Sequence, residues 1–480
     1  MEFQQETRGV RLNTALGPTA LGFRSMTMSE GVSRLFEIEV EALSGTADLD
    51  FDALLGRNLT VALDTAADEP RYFNAFVTRV RFLGAKGRNY GIGITCAPWL
   101  WFLTLSRNCR IFAEKNVREI VSEVLDQHSM GDYEFRLDRD YPVYEYCVQY
   151  NETDYDFVCR SLEREGISFY FEHENGSHRL VFVDSMSRYA PHAGYESFRF
   201  EPSGHVSDLQ EEVVMGWLPE KQVLPTRVAL RDYYFETPTA DLNADAVVRR
   251  GHAVSEMEVF EYPGLYRTQS DGTAYAKTRV EALQMGYSLV RANGTLRGAV
   301  SGHRFRLEDH PVSALNDEYL ILSVEHRLTS GAFETDDETA ESYECSFTVM
   351  PTAETYRPPR RTAWPRIPGP QTAMVVGAEG EEIDPDKYAR VKVRFHWSPG
   401  EPSCWVRVTQ AWTGPNWGAL SIPRVGEEVI VEFEDGDPDR PIITGRVYNG
   451  AAMPPYAPLH WADCRSTRRQ PPDHMATSSG

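Results

Sequence analysis

The residues of this chain that could hold a metal or move a proton fall into a few groups. His173, Glu174 and His178 lie close together. Two imidazoles grip one zinc from a helix when they stand four residues apart, because that spacing puts both on one face. Here the spacing is five, and the turn signal Asn175-Gly176 lies between them. His460, Cys464 and His474 carry ligand atoms, but in a polar stretch with no periodic element to hold them. Asp435, Asp437 and Asp439 around Gly436 resemble a calcium loop in spacing. They lack the later bidentate glutamate, and Pro438 interrupts, so a tight turn is expected. Acidic pairs such as Glu381-Glu382 and Glu427-Glu428 do not by themselves place two carboxylates across a cleft, as glycoside hydrolysis needs. The G-x-S-x-G and G-x-x-x-x-G-K-[ST] motifs are absent. No catalytic constellation converges, and the expectation is a protein that is not an enzyme and takes no metal or cofactor.

Composition narrows the class further. A chain of 480 residues has room for about two to four domains. Its 71 acidic residues against 49 basic ones give a net charge of −22. That is the wrong sign for broad binding to nucleic acid or an anionic membrane. The seven cysteines (Cys96, Cys109, Cys147, Cys159, Cys345, Cys404 and Cys464) are sparse, odd in number and never in C-x-x-C pairs. A disulfide scaffold and a zinc ribbon are therefore not expected. The N-terminus lacks the basic start and apolar core of a secretory signal, and no apolar run approaches the ~18 residues of a membrane span. A chain of this kind stays in the cytoplasm or leaves by a machine that ignores signal peptides.

The elements are mainly strands. In residues 371–456, Val391, Val393 and Phe395 alternate with Lys392, Arg394 and His396, Val406 and Val408 with Trp405, Arg407 and Thr409, and Val429, Val431 and Phe433 with Glu428, Ile430 and Glu432. Period two with one apolar face marks half-buried strands, and four or five short ones make a small closed barrel such as an OB-fold. OB-folds often bind oligonucleotides, but this stretch holds eight Lys and Arg against thirteen Asp and Glu. Its Trp397, Trp405, Trp412 and Trp417 are expected to fill the core or a subunit contact. Upstream, residues 1–105 read as strands. A helix is expected over 115–129 with Asn116 as N-cap, from apolar residues at helical spacing. A second follows Thr153, with Asp154 and Asp156 in its first turn and Gly166 just past its end. A hairpin turning at Asn175-Gly176 comes next. A third helix is expected at about 271–291, with Asp271 as cap and Gly294 beyond it. Residues 351–370 are Pro-rich and include Arg357, Arg360, Arg361 and Arg366, which reads as a linker. Residues 457–480 have the composition of a disordered tail.

Two blocks resemble one known family. Gln149, Tyr150, Asn151, Glu152, Thr153, Asp154, Tyr155 and Phe157, followed by Arg160, Glu163, Glu165, Gly166, Ile167, Tyr170 and Phe171, are similar to the Q-Y-N-E-T-D-Y-x-F…R…E-x-E-G-I-x-Y-x-F block of VgrG proteins. The stretch VVGAEGEEID…YARVKVRFHW…SCWVRVTQAWTGPNWGAL…IPRVGEEVIVEFEDGDPDRPIITGRVYN resembles the OB-type module of the same family. There the resemblance rests on Arg390, Val391, Trp397, Trp405, Arg407, Gly418, Pro423, Arg424, Gly426, Asp437, Pro438, Arg440, Pro441, Gly445, Arg446, Val447 and Asn449. These are structural motif residues and carry no catalytic role.

The resemblance implies a mainly β protein with a few helices. Residues 1–350 would form a phage-tail-hub-like region of two β-barrels with inserted helices. The linker at 351–370 would lead into the OB-fold module at 371–456, and the atypical tail at 457–480 shows no β-helix needle. It also implies a homotrimeric spike of a type VI secretion system, which punctures target membranes without a stable anchor and carries effectors. The tube protein, a tip-capping protein and effectors or adaptors would be its partners. Synthesis in the bacterial cytoplasm and delivery by the apparatus follow from the same resemblance. A baseplate hub of a contractile phage or tailocin is the main alternative, and an acidic OB-type nucleic-acid binder the weaker one.

Overall fold

The computed structural model describes residues 3–66, 69–202, 211–254, 257–331 and 341–455. The tail at 457–480, with His460, Cys464 and His474, lies outside the described residues. The chain divides into two compact units. The first holds residues 1–108, 116–143 and 152–364, and the second holds 109–115, 144–151 and 365–480.

In the first unit one twelve-stranded sheet runs through both halves of the expected hub. Its path starts at Val10–Thr14 and passes Asn58–Leu63, Arg71–Lys86, Asn89–Ala97 and Glu37–Ser44 to Leu21–Gly31. There Leu21–Gly31 pairs antiparallel with Glu318–Thr329, some 300 residues on, and the path continues through Ser342–Pro351 and Ser288–Gly294 to Val214–Lys221. Alternation decides the register: along Glu318–Thr329, Val324, His326 and Leu328 turn to the core while Glu325 and Arg327 do not. A one-residue slip would put every one of them on the wrong face.

The helices follow their sequence signals with one exception. Helix α1 is Val117–His128. Asn116 accepts the amide of Glu119 at 3.1 Å, and the Glu119 carboxylate accepts the amide of Asn116 at 2.8 Å, a reciprocal cap. Helix α2 is Asp154–Glu165, capped by Thr153 Oγ1 on the amide of Asp156 at 3.0 Å and ended by Gly166 at φ 71°. Helix α3 is Gln269–Gln284, capped by Thr268 rather than Asp271. The expected helix to residue 291 is corrected here: Ser288–Gly294 is a strand. Val290, Ala292 and Gly294 alternate inward, so period two outweighs helical propensity once Gly286 breaks the helix. Gly294 is no helix end. A Cβ there would lie 2.1 Å from the carbonyl oxygen of Val213 on the adjoining chain.

The second unit is a five-stranded barrel. Its strands run in the order Lys392–Phe395, Gln371–Val376, Glu428–Phe433, Pro441–Val447 and Arg407–Val408. A bridge between Val391 and Val406 joins the first strand to the last and closes the barrel. Ala373, Val375, Val393, Phe395, Val429, Val431 and Ile443 fill the interior. The strand pair Arg107–Lys115 and Tyr144–Thr153 adds Ile111 and Tyr150 to the same core, which sequence order alone did not show.

Candidate functional site

The first motif block divides between the units at residue 152. Gln149, Tyr150 and Asn151 belong to the barrel unit. Gln149 accepts Arg110 Nε at 2.7 Å. The Tyr150 hydroxyl accepts Gln371 Nε2 at 2.8 Å, and the Gln371 oxygen accepts the indole N–H of Trp397 at 2.9 Å. Tyr150 and Trp397 meet edge to face at 5.6 Å. Asn151 has φ 49°, a left-handed conformation that asparagine tolerates better than most residues.

From Glu152 onward the block builds helix α2 and the seat of the Pro-rich segment. Both carboxylate oxygens of Glu152 receive Arg160, at 2.6 and 2.8 Å, and the two side chains are almost fully buried. The Arg160 guanidinium lies 4.4 Å from the ring centre of Trp364 and 4.9 Å from that of Phe157. Glu163 accepts the backbone amides of Arg361 and Thr362, each at 3.1 Å, and the Thr362 hydroxyl at 2.9 Å. Burial pushes the Glu163 carboxyl up, against the pull of those three bonds. Arg357 reaches the carbonyl oxygens of Gly166 and Asp184 and pairs with Glu281 at 2.8 Å. Glu165 accepts the Tyr275 hydroxyl at 2.8 Å, and Ile167 is fully buried. Residues 356–364 are thus strapped along the first unit. The prolines mark this segment as a linker, and no signal in the sequence ties Arg357 to Glu281 or the amides of Arg361 and Thr362 to Glu163. Replacing Glu163 by alanine is expected to free the amides of Arg361 and Thr362 and to speed their hydrogen exchange roughly tenfold or more. Unchanged exchange there would refute this seat.

One cluster brings together residue types that no spacing along the chain combines. The buried Asp154 carboxylate accepts Ser106 Oγ at 2.8 Å and Asn108 Nδ2 at 2.9 Å, and meets His128 Nε2 at 2.9 Å. A serine nucleophile needs the imidazole between serine and acid. Here Ser106 bonds the acid directly, so the arrangement braces the first turn of α2 and does not activate the hydroxyl.

The other chemistry-bearing groups are held by hydrogen bonds within the fold. His173 and His178 face each other across the hairpin, His178 buried and His173 half-buried. His178 Nε2 accepts the amide of Trp99 at 3.0 Å, its Nδ1 meets Asn74 Oδ1 at 2.8 Å, and His173 Nδ1 meets the Asn74 backbone at 3.1 Å. Burial drives both imidazoles down, His173 to about 4, so they stay neutral at pH 7. Asp439 accepts the amide of Val148 at 2.7 Å, Asp437 accepts that of Asp439 at 3.0 Å, and Asp435 turns the chain at φ 54°. That is the tight turn expected of the aspartates. Among the described residues no group of three or more His, Cys, Asp or Glu is placed to hold a metal.

The second motif block pins the loops of the barrel. Arg390 pairs with Asp386 at 2.7 Å, Arg440 with Glu434 at 2.9 Å, Arg407 with Glu434 at 3.8 Å, Arg446 with Glu427 at 3.8 Å, and Arg424 with Glu382. Asn449 Nδ2 donates to Glu428 at 2.8 Å. Pro423, Asp437 and Pro438 are buried in the loops, and Pro441 and Val447 bound the strand that contains Gly445. Gly418 has φ 137°, and a Cβ there would lie 2.4 Å from the carbonyl oxygen of Trp412, so glycine is required. Gly426 turns at φ 87°. Trp397 stacks on Phe395 at 4.9 Å, and Lys392 stands 5.0 Å from the ring of Trp405. Trp412 and Trp417 are instead 65% and 53% exposed, with Leu420, Tyr448 and Met453 more than 60% exposed on the same unit.

Comparison with known proteins agrees with this architecture. Residues 29–332 match the phage tail baseplate hub family, and residues 371–448 match the type VI secretion system and phage-baseplate injector OB domain. The chain is 40% identical to the Pseudomonas aeruginosa type VI secretion system spike protein VgrG1c, over 95% of this chain and 64% of that protein. It is 40% identical to the P. aeruginosa spike protein VgrG1a, over 94% of this chain and 71% of that one. It therefore spans about two thirds of the length of these relatives. An Escherichia coli type VI secretion component, described as structurally similar to bacteriophage T4 tail proteins, superposes with a TM-score of 0.66 at 21% identity, over 89% of this chain and 97% of that one. The Francisella PdpA-VgrG complex gives 0.62 at 8% identity, over 93% and 72%. With its hub fold, its injector barrel and this identity across both, the chain belongs to the VgrG family of type VI secretion spike proteins.

Proposed function

We propose that this chain is the hub-and-collar part of a type VI secretion spike. It acts mechanically, as a homotrimer driven through a target membrane with effectors attached. The observation that carries the reading is the 40% identity to a spike protein over 95% of the chain, hub and OB domain together. The stiffness such a role needs is supported by the continuous sheet of the first unit and the closed barrel of the second. The hub is proposed to face the tube protein, and a tip-capping protein and effectors or adaptors to ride beyond the barrel. No catalytic step is assigned. Synthesis in the cytoplasm and export by the apparatus complete the reading.

Trp412, Trp417 and Leu420 are proposed as part of the trimer contact. Large apolar side chains left in water are the usual mark of an interface. Light scattering coupled to size exclusion is expected to show three chains of 54.4 kDa, and replacing both tryptophans by serine is expected to shift the population toward monomer. A monomer at micromolar concentration would overturn the spike assembly.

A further inference from the structure

The interior of the first unit holds a polar cluster that the mechanical reading does not use. Glu30 and Arg71 approach to 3.5 Å, each at most 5% exposed. Ser301 Oγ donates to the other Glu30 oxygen at 2.9 Å. His326, with no exposed surface, meets Glu30 through Nε2 at 3.1 Å and the Tyr343 hydroxyl through Nδ1 at 2.8 Å. The same hydroxyl lies 2.9 Å from the carbonyl oxygen of Leu296.

Counting protons shows that this arrangement has two complete states. A carboxylate only accepts, so Nε2 of His326 carries a hydrogen toward Glu30 in both. Tyr343 has one hydroxyl hydrogen and two acceptors within reach, Nδ1 and the Leu296 oxygen. With a neutral imidazole the hydroxyl donates to Nδ1. With an imidazolium, Nδ1–H donates to the Tyr343 oxygen, and the hydroxyl donates to Leu296. One proton is gained, one rotor turns, and every polar hydrogen keeps a partner.

We propose that Glu30, His326 and Tyr343 form a buried proton-binding site, in which the imidazole takes up one proton from solvent while the Tyr343 hydroxyl swings from Nδ1 to the Leu296 carbonyl. At His178 the Nε2 lone pair is already taken by the amide of Trp99, whereas Nδ1 of His326 faces a hydroxyl that can either donate or accept. The groups facing it are Glu30 from Leu21–Gly31, Arg71 from Arg71–Lys86, His173 from the hairpin, His303 and Ser301 from the loop before Arg304–Glu308, Cys345 from Ser342–Pro351, and Glu212. Burial lowers His326, with Glu30 pulling the other way, so the site is empty of its extra proton at pH 7. Burial alone would raise Glu30, but the bond from His326 and the charge of Arg71 bring it to about 2, so it stays ionised. Burial holds Tyr343 well above the usual phenol range, so it remains a hydroxyl. A folded imidazole titrating below its unfolded value makes stability complete above the ordinary histidine range and lost as pH falls through it.

The test is a pH titration of histidine ring signals by NMR in the full chain, with the His326 signal assigned by its loss in His326→Gln. The expected result is a native titration below pH ~6.5 that ends with both ring nitrogens protonated. Tyr343→Phe removes the Nδ1 partner in both states, but the bond lost by the imidazolium is charge-assisted and the stronger, so the midpoint is expected to fall, by up to about one pH unit. Ser301→Ala, which leaves more of the Glu30 carboxylate for the imidazolium, is expected to raise it and guards against a Tyr343 variant that does not fold. No His326 titration before the native fold is lost, proton uptake on Glu30 instead, or a midpoint indifferent to both substitutions would each overturn the proposal.

Discussion

Replacing Arg160 by alanine is expected to destabilise the first unit by about 3–5 kcal/mol, among the largest effects of any single change outside the apolar cores. The loss comes less from the ion pair than from what remains. Glu152, 9% exposed, would keep a buried charge without its bidentate partner, and Trp364 would lose the cation on its face. The double replacement Glu152→Leu with Arg160→Met removes both charges and keeps the volume, and is expected to cost far less. Denaturant unfolding with hydrogen exchange over α2 and residues 356–364 measures both. A single variant no worse than the double one would show that the pair is a solvated decoration and not a buried clamp.

Replacing Phe395 by alanine is expected to cost the barrel unit about 3–5 kcal/mol and to leave the first unit's own unfolding unchanged. Phe395 is 1% exposed and lies between Trp397 at 4.9 Å and Phe433 at 5.8 Å. A five-stranded barrel closed over so few large side chains has little to refill the space with. Hydrogen exchange along Gln371–Val376 and Glu428–Phe433 should rise toward that of an unfolded chain. A loss below about 1 kcal/mol would mean that Trp397 collapses into the cavity and that the interior is plastic.

Local patterning carried much of this protein. Alternation at Val391, Val393 and Phe395 gave a barrel strand, and Asn116 and Thr153 gave two helix starts, because burial and capping act within a few residues. The motif blocks at 149–167 and 390–449 named the family, and the acidic balance set the expectation that the barrel does not track phosphates. These are properties a chain displays in order. The helix drawn to residue 291 went too far for the same reason. Residues 288–294 satisfy a helix pattern loosely in isolation, and only the neighbouring strands, supplied from 214–221 and 342–351, make period two the cheaper arrangement.

The tertiary structure decided what depends on distant partners. Glu30 finds Arg71, Ser301 and His326, and Arg160 finds Trp364 about 200 residues away, pairings that no spacing announces. The strand pair from 107–115 and 144–153 lends Ile111 and Tyr150 to a barrel whose own strands begin at 371. Sequence alone determined the kind of protein and most of its elements, since those follow from local periodicity and from residues matched in order. Which charges are buried, which histidines are neutral and which arginines brace the Pro-rich segment were settled only by folding, because desolvation and hydrogen-bond geometry exist between surfaces that the linear chain keeps apart.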